Sequence, residues 1–155
     1  MIVNLLLSIM RIKGKQGGYL NLIDLDIKDD LLHFNISLQR RVSFIMGDSD
    51  TGKTSLYGLL ERKLAENDEE VSMQRNIDIV LLNFSNLNLK CSHVLYVVDD
   101  LDIFSSNDFK ELLSYIEDRD LWFLIMSRED VEFDKNLSCK YKFISDNNIY
   151  TLSHM

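Results

Sequence analysis

Residues Gly47-Asp48-Ser49-Asp50-Thr51-Gly52-Lys53-Thr54 follow the spacing G-x-x-x-x-G-K-[ST], and those residue types suit one task, holding a chain of phosphates. Two glycines let the backbone curl until successive N–H groups point inward at phosphate oxygens. A helix starting directly afterwards adds the partial positive charge of its N-terminus. Lys53 is then placed to neutralise the β- and γ-phosphates, and the Thr54 hydroxyl to ligate Mg²⁺. The whole octet and the following Ser55 are therefore the expected nucleotide contacts, with Lys53 also serving the chemistry. The plainer reading, a glycine turn with a surface lysine, leaves the flanking sequence unexplained.

Two further groups could complete such a site. Val94-Leu95-Tyr96-Val97-Val98 is an apolar run ending in Asp99-Asp100. A buried strand that delivers carboxylates to its C-terminal end would let Asp99 anchor Mg²⁺ through water and Asp100 orient or deprotonate an attacking water. The alternative is a strand that ends in two surface acids. Leu121–Met126 ends in Ser127-Arg128, a pair that would lie near the γ-phosphate and sense hydrolysis, or else a capping serine before a surface arginine.

The elements that must position these groups follow from periodicity. Val42–Met46, β-branched and aromatic, predicts a strand entering the glycine loop. Leu56, Leu59, Leu60 and Leu64 recur at helical spacing and predict a helix to about Ala65. Before the loop, Tyr19–Ile27 and Leu31–Leu38 alternate apolar and polar residues and predict two antiparallel strands joined at Lys28-Asp29-Asp30. Glu66–Glu70 reads as a solvated acidic connection. Ile77–Leu82, Val94–Val98 and Leu121–Met126 read as parallel strands buried on both faces. Between the last two, Phe109, Leu112, Leu113 and Ile116 mark one face of an amphipathic helix, with Asp108 and Glu111 near its start. Tyr141–Ser145 and Ile149–Leu152 flank Asp146-Asn147-Asn148, whose residues tolerate positive φ, and predict a terminal hairpin.

Composition narrows the function classes. A chain of 155 residues is one domain by length, spanning 1–155, and large enough to bury a sizeable core. Its net charge of −8 argues against nucleic acid as the main partner, because backbone binding needs clustered Lys and Arg. The two cysteines, Cys91 and Cys139, lack metal spacing and fit a reduced cytoplasmic compartment. Met1 to Met10 is apolar yet too short to span a bilayer, and reads as a packed strand or helix, or as a partner-binding segment.

On the glycine loop, Asp99-Asp100 and Ser127-Arg128, the chain resembles the P-loop NTPases that place an extra strand between the phosphate-loop strand and the Walker B strand. It is similar to ATP-binding-cassette ATPases in the antiparallel strands before the loop, the acid after the Walker B aspartate and the closing hairpin. It is similar to signal-transduction NTPases in Asp99-Asp100 and in the strand ending Ser127-Arg128. Departures are visible. The stretch from Lys53 to Asp99 is too short for the cassette helical insertion, and no Leu-Ser-Gly-Gly-Gln signature occurs. Asp100 replaces a catalytic glutamate, Ser127 a switch histidine, and Asn83 a glutamine. Asp50 stands where these families mostly carry glycine, and its charge would repel phosphates unless screened.

The resemblance implies an α/β domain of three layers with a mostly parallel sheet, an antiparallel N-terminal strand pair and a C-terminal hairpin. It implies ATP and Mg²⁺ as cofactors, ATP being favoured because no Asn-Lys-x-Asp guanine-reading element occurs. The expected function is slow Mg²⁺-dependent ATP hydrolysis that controls a partner. A homodimer or partner protein would complete the site, with Arg128 and Arg119 as the chain's own candidate arginines. The rival expectation is a non-catalytic nucleotide-binding or protein-interaction module. A small-molecule phosphotransferase would need a lid carrying several arginines over the phosphates, and none is visible between Glu66 and Ser92.

Overall fold

A computed structural model describes residues 23–48, 51–66, 72–73, 77–83, 85–99 and 106–155. The described strands are β1 (Ile23–Lys28), β2 (His33–Leu38), β3 (Val42–Met46), β4 (Ser72–Met73), β5 (Asp78–Leu82), β6 (Val94–Val98), β7 (Leu121–Ser127), β8 (Ser138–Asp146) and β9 (Ile149–His154). Two helices are described, α1 (Lys53–Ala65) and α2 (Asn107–Ser114). Several expectations fall outside the described residues: Met1 to Met10, the start of the first strand at 19–22, most of the acidic connection, Ser49, Asp50 and Asp100.

Alternation decides which face each outer strand buries. In β1, Ile23, Leu25 and Ile27 enter the core, and across the antiparallel register they meet Leu38, Ile36 and Phe34 of β2. The opposite face is polar: Asp24 accepts a hydrogen bond from Ser37, and His33 Nε2 lies 2.5 Å from Asp26 Oδ1. Asp29 organises the turn by accepting from the N–H groups of Leu31 and Leu32 at 2.8 Å, and Arg62 of α1 reaches its second oxygen at 3.1 Å.

The central strands β3, β6 and β7 are apolar on both faces and divide their side chains between two cores. Ile45, Leu95, Val97, Trp122, Leu124 and Met126 join the β1–β2 residues, and Leu56, Leu59 and Leu60 of α1 cover them. Val42, Phe44, Tyr96, Val98, Phe123 and Ile125 face the other way, under Phe109 and Leu112 of α2. Helix α2 starts where the Ser106 hydroxyl accepts the Phe109 N–H at 3.0 Å, an N-cap. Ile116 packs in this second core from the turn beyond the helix.

The expected three-layer α/β architecture is overturned. The structure is strand-dominated, a single mixed sheet curled into a half-barrel, with two described helices. Its nine strands run β4-β1-β2-β9-β8-β3-β7-β6-β5. Pairing is parallel for β2–β9, β3–β8, β3–β7, β6–β7 and β5–β6, and antiparallel for β1–β2, β1–β4 and β8–β9. The physical reason is the β2–β9 pairing. It fuses the N-terminal pair and the C-terminal hairpin into one continuous sheet, and their polar outer faces need no helical cover. Strand β5 is another correction: it lies at the sheet edge and is only partly buried, whereas its apolar run predicts burial on both faces.

Candidate phosphate site at the glycine loop

Strand β3 delivers the loop. The Gly47 N–H donates to the Ser127 carbonyl at 3.2 Å, tying the end of β3 to the end of β7. Gly47 and Gly52 take φ of +143° and +105°, a region that side chains disfavour. Helix α1 follows at once, and the Gly52 carbonyl accepts its first backbone bond from Leu56 at 2.9 Å. Among the described residues no side-chain oxygen caps this helix, and its first turn carries no acid. Its positive end is therefore open to an anion.

Lys53 is the buried cation of the site, with 6% of its surface exposed. Its Nζ donates to the carbonyls of Gly47 and Asp48, the latter at 2.9 Å. Desolvation pulls its pKa below the usual lysine value and the Arg128 charge adds to that, while Asp48 and Asp99 oppose them. The same balance puts Asp48, Asp99 and Arg128 within electrostatic reach of Lys53. Thr51 lies across the loop, its hydroxyl donating to the Asp48 carbonyl at 2.9 Å. Thr54 and Ser55 are exposed in the first turn of α1.

Asp99 follows directly on β6, exposed at the loop end of the sheet. It also raises the pKa of Tyr57 on α1, after the larger effect of burial. Among the described residues no group of three or more His, Cys, Asp and Glu gathers at one point. A Mg²⁺ ion would accordingly draw on the Thr54 hydroxyl, the Asp99 carboxylate and phosphate oxygens. Such a sparse, all-oxygen set suits an ion that keeps much of its water.

Other expected groups are engaged elsewhere. The Ser127 hydroxyl donates to the Glu129 carbonyl at 2.6 Å and accepts from its N–H at 3.1 Å, closing a local turn. Asn83 does the same at the end of β5, accepting from the N–H groups of Ser85 and Asn86. Arg119 is a correction. It precedes β7 at the end of the sheet remote from the loop, its guanidinium 4.1 Å over the Tyr115 ring. The seven residues of β7 put about 20 Å between it and the phosphate site, so it cannot serve its own chain's loop.

Sequence reasoning missed the hairpin's part in the site. A Cβ on Gly52 would sit 2.8 Å from Tyr150 Cε1 and 3.6 Å from Phe143 Cδ2. No local pattern announces this, because the contact depends on which strands pair.

No family model matches the chain, and no curated protein matches it in sequence. None of the described helices is long and apolar enough to cross a membrane.

Proposed function

We propose that the chain binds MgATP at the glycine loop, hydrolyses it slowly, and uses the cycle to control a partner. One observation carries the reading: two positive-φ glycines bracket a loop whose following lysine is buried with its ammonium group turned onto that loop. A cation is not desolvated in this way without compensation, and a phosphate chain supplies more than two carbonyls can. Support also comes from β7 lying between β3 and β6, the interposed order that resemblance to P-loop NTPases implies, and from Asp99 at the same end of the sheet.

Slow turnover follows from what surrounds the loop. Lys53 must leave the Gly47 and Asp48 carbonyls to meet phosphate, and Asp48 adds a negative charge beside it. Arg119 is remote, so a second copy or a partner protein would supply further positive charge for the transition state. Calorimetry with MgATP, followed by phosphate release at rising protein concentration, tests this. Saturable binding with turnover that grows with concentration is expected, and no binding by the folded chain would sink it.

The rival reading is a nucleotide-binding or protein-interaction module without turnover. The engagement of the Ser127 hydroxyl by Glu129 favours it. Tight MgATP binding without phosphate release at any concentration would select it.

A further inference from the structure

We propose that the β8–β9 hairpin sets the shape of the phosphate loop, with Tyr150 as the positioning residue that holds Gly52. This rests on reading Gly47–Thr54 as a phosphate site. The register shows how the hairpin gets there. Ile45 of β3 pairs with Tyr141, so β8 from Phe143 onward runs past the end of β3 and forms a wall beside the loop.

The wall is rigid where it meets the loop. The Tyr150 ring stacks on Phe34 at 4.7 Å with an interplanar angle of 20°, and Phe143 packs edge-on against both, at 5.7 Å from Tyr150 and 5.6 Å from Phe34. Phe34 is fully buried and pairs with Tyr150 between β2 and β9. Three mutually braced rings cannot yield as one flexible side chain would. Gly52 lies against them so closely that a Cβ would overlap Tyr150, so glycine is required here for close approach as well as for its φ of +105°.

Gly52 in turn fixes the start of α1 through its bond to Leu56. A shift of the Tyr150 ring therefore re-aims the first N–H groups of the helix, the donors a phosphate would meet. Neither ring need touch ligand for the hairpin to govern its binding.

The test uses the full chain with Tyr150→Ala, Tyr150→Leu and Tyr150→Phe, reading the ¹H–¹⁵N resonances of Gly47 and Gly52 without ligand and the affinity for MgATP. Tyr150→Ala should displace the Gly52 resonance and weaken MgATP by about tenfold, as expected of a misplaced site. Tyr150→Phe should restore both, because the ring and not the hydroxyl makes the contact. Tyr150→Leu replaces the alanine variant if that one fails to fold. A wild-type Gly52 resonance and affinity in a chain lacking the ring would overturn the proposal, as would failure of phenylalanine to restore them. If the wild-type chain binds no MgATP, the nucleotide reading fails on its own, and the Gly52 N–H residual dipolar coupling, which follows the direction of the bond and not the loss of ring shielding, still decides whether Tyr150 positions the loop.

Discussion

Lys53 Nζ donates to the Asp48 carbonyl at 2.9 Å, so the ammonium group expected to meet phosphate is held by the backbone of its own loop. This gives the side chain two roles, electrostatic and structural. Lys53→Ala is expected to weaken MgATP by tenfold or more, as loss of a charge-assisted hydrogen bond of about 1.5–3 kcal/mol implies. It should also lower stability by about 1 kcal/mol, since two loop carbonyls lose a donor. Calorimetry and thermal melting check the two effects separately, and unchanged affinity in a folded variant would dismiss the phosphate site.

The two acids after β6 should behave differently. Asp99→Asn removes an ion anchor, and should weaken nucleotide binding in Mg²⁺ by about tenfold while leaving binding in EDTA nearly unchanged. Asp100→Asn should spare binding and slow phosphate release, because its task begins when water attacks. Titrations with and without Mg²⁺, paired with single-turnover assays, would expose an exchange of roles.

Gly52→Ala should destabilise the chain by about 2 kcal/mol through its positive φ and its approach to Tyr150. The two causes separate in a double-mutant cycle: part of the penalty should vanish in a Tyr150→Ala background, where only the backbone term remains. Additive penalties in denaturant titrations would show that the ring imposes nothing on the glycine.

Acid stability should depend on Asp120, far from the loop. Burial raises its pKa, but hydrogen bonds from Arg41 and Trp122, the Arg41 charge and His93 outweigh this and hold it below the usual carboxylate value of 3.8. Arg41 Nη1 lies 2.5 Å from Asp120 Oδ1 and the guanidinium 4.5 Å over the Trp122 ring. A depressed folded-state pKa stabilises the fold above pH 3.8 and loses that contribution as pH falls through the folded value. Asp120→Asn should therefore be less stable at neutral pH and flatter in its response below pH 4. Equal slopes of stability against pH for both proteins would refute this.

The loop and its approach were legible because each rests on local signals. Val42–Met46 is an unbroken apolar run, two glycines stand at fixed spacing, and Leu56, Leu59 and Leu60 recur at helical intervals. The buried face of β1 and β2 was legible for the same reason, since alternation assigns faces without knowledge of neighbours. Strand partners are different. Phe34 meets Tyr150 across roughly a hundred residues of sequence, and nothing local to either says so. Missing that pairing turned a curled mixed sheet into an expected three-layer domain, and it hid the wall behind Gly52. Arg119 was a different miss: it precedes Leu121–Met126, and a strand parallel to Val42–Met46 already puts its start at the end remote from the loop.

The parallel β2–β9 pairing also bears on how the chain acquires its structure. Within the sheet, β1 and β2 reach the central strands by way of β9 and β8. During synthesis the first hairpin must therefore wait, its apolar face without its lateral neighbour, until residues 138–154 have emerged from the ribosome. Such late, long-range closure slows folding and leaves strand edges open to other chains meanwhile. Ribosome-bound nascent chains should show β1–β2 amides exchanging freely until β9 is free to pair, and becoming protected together with it.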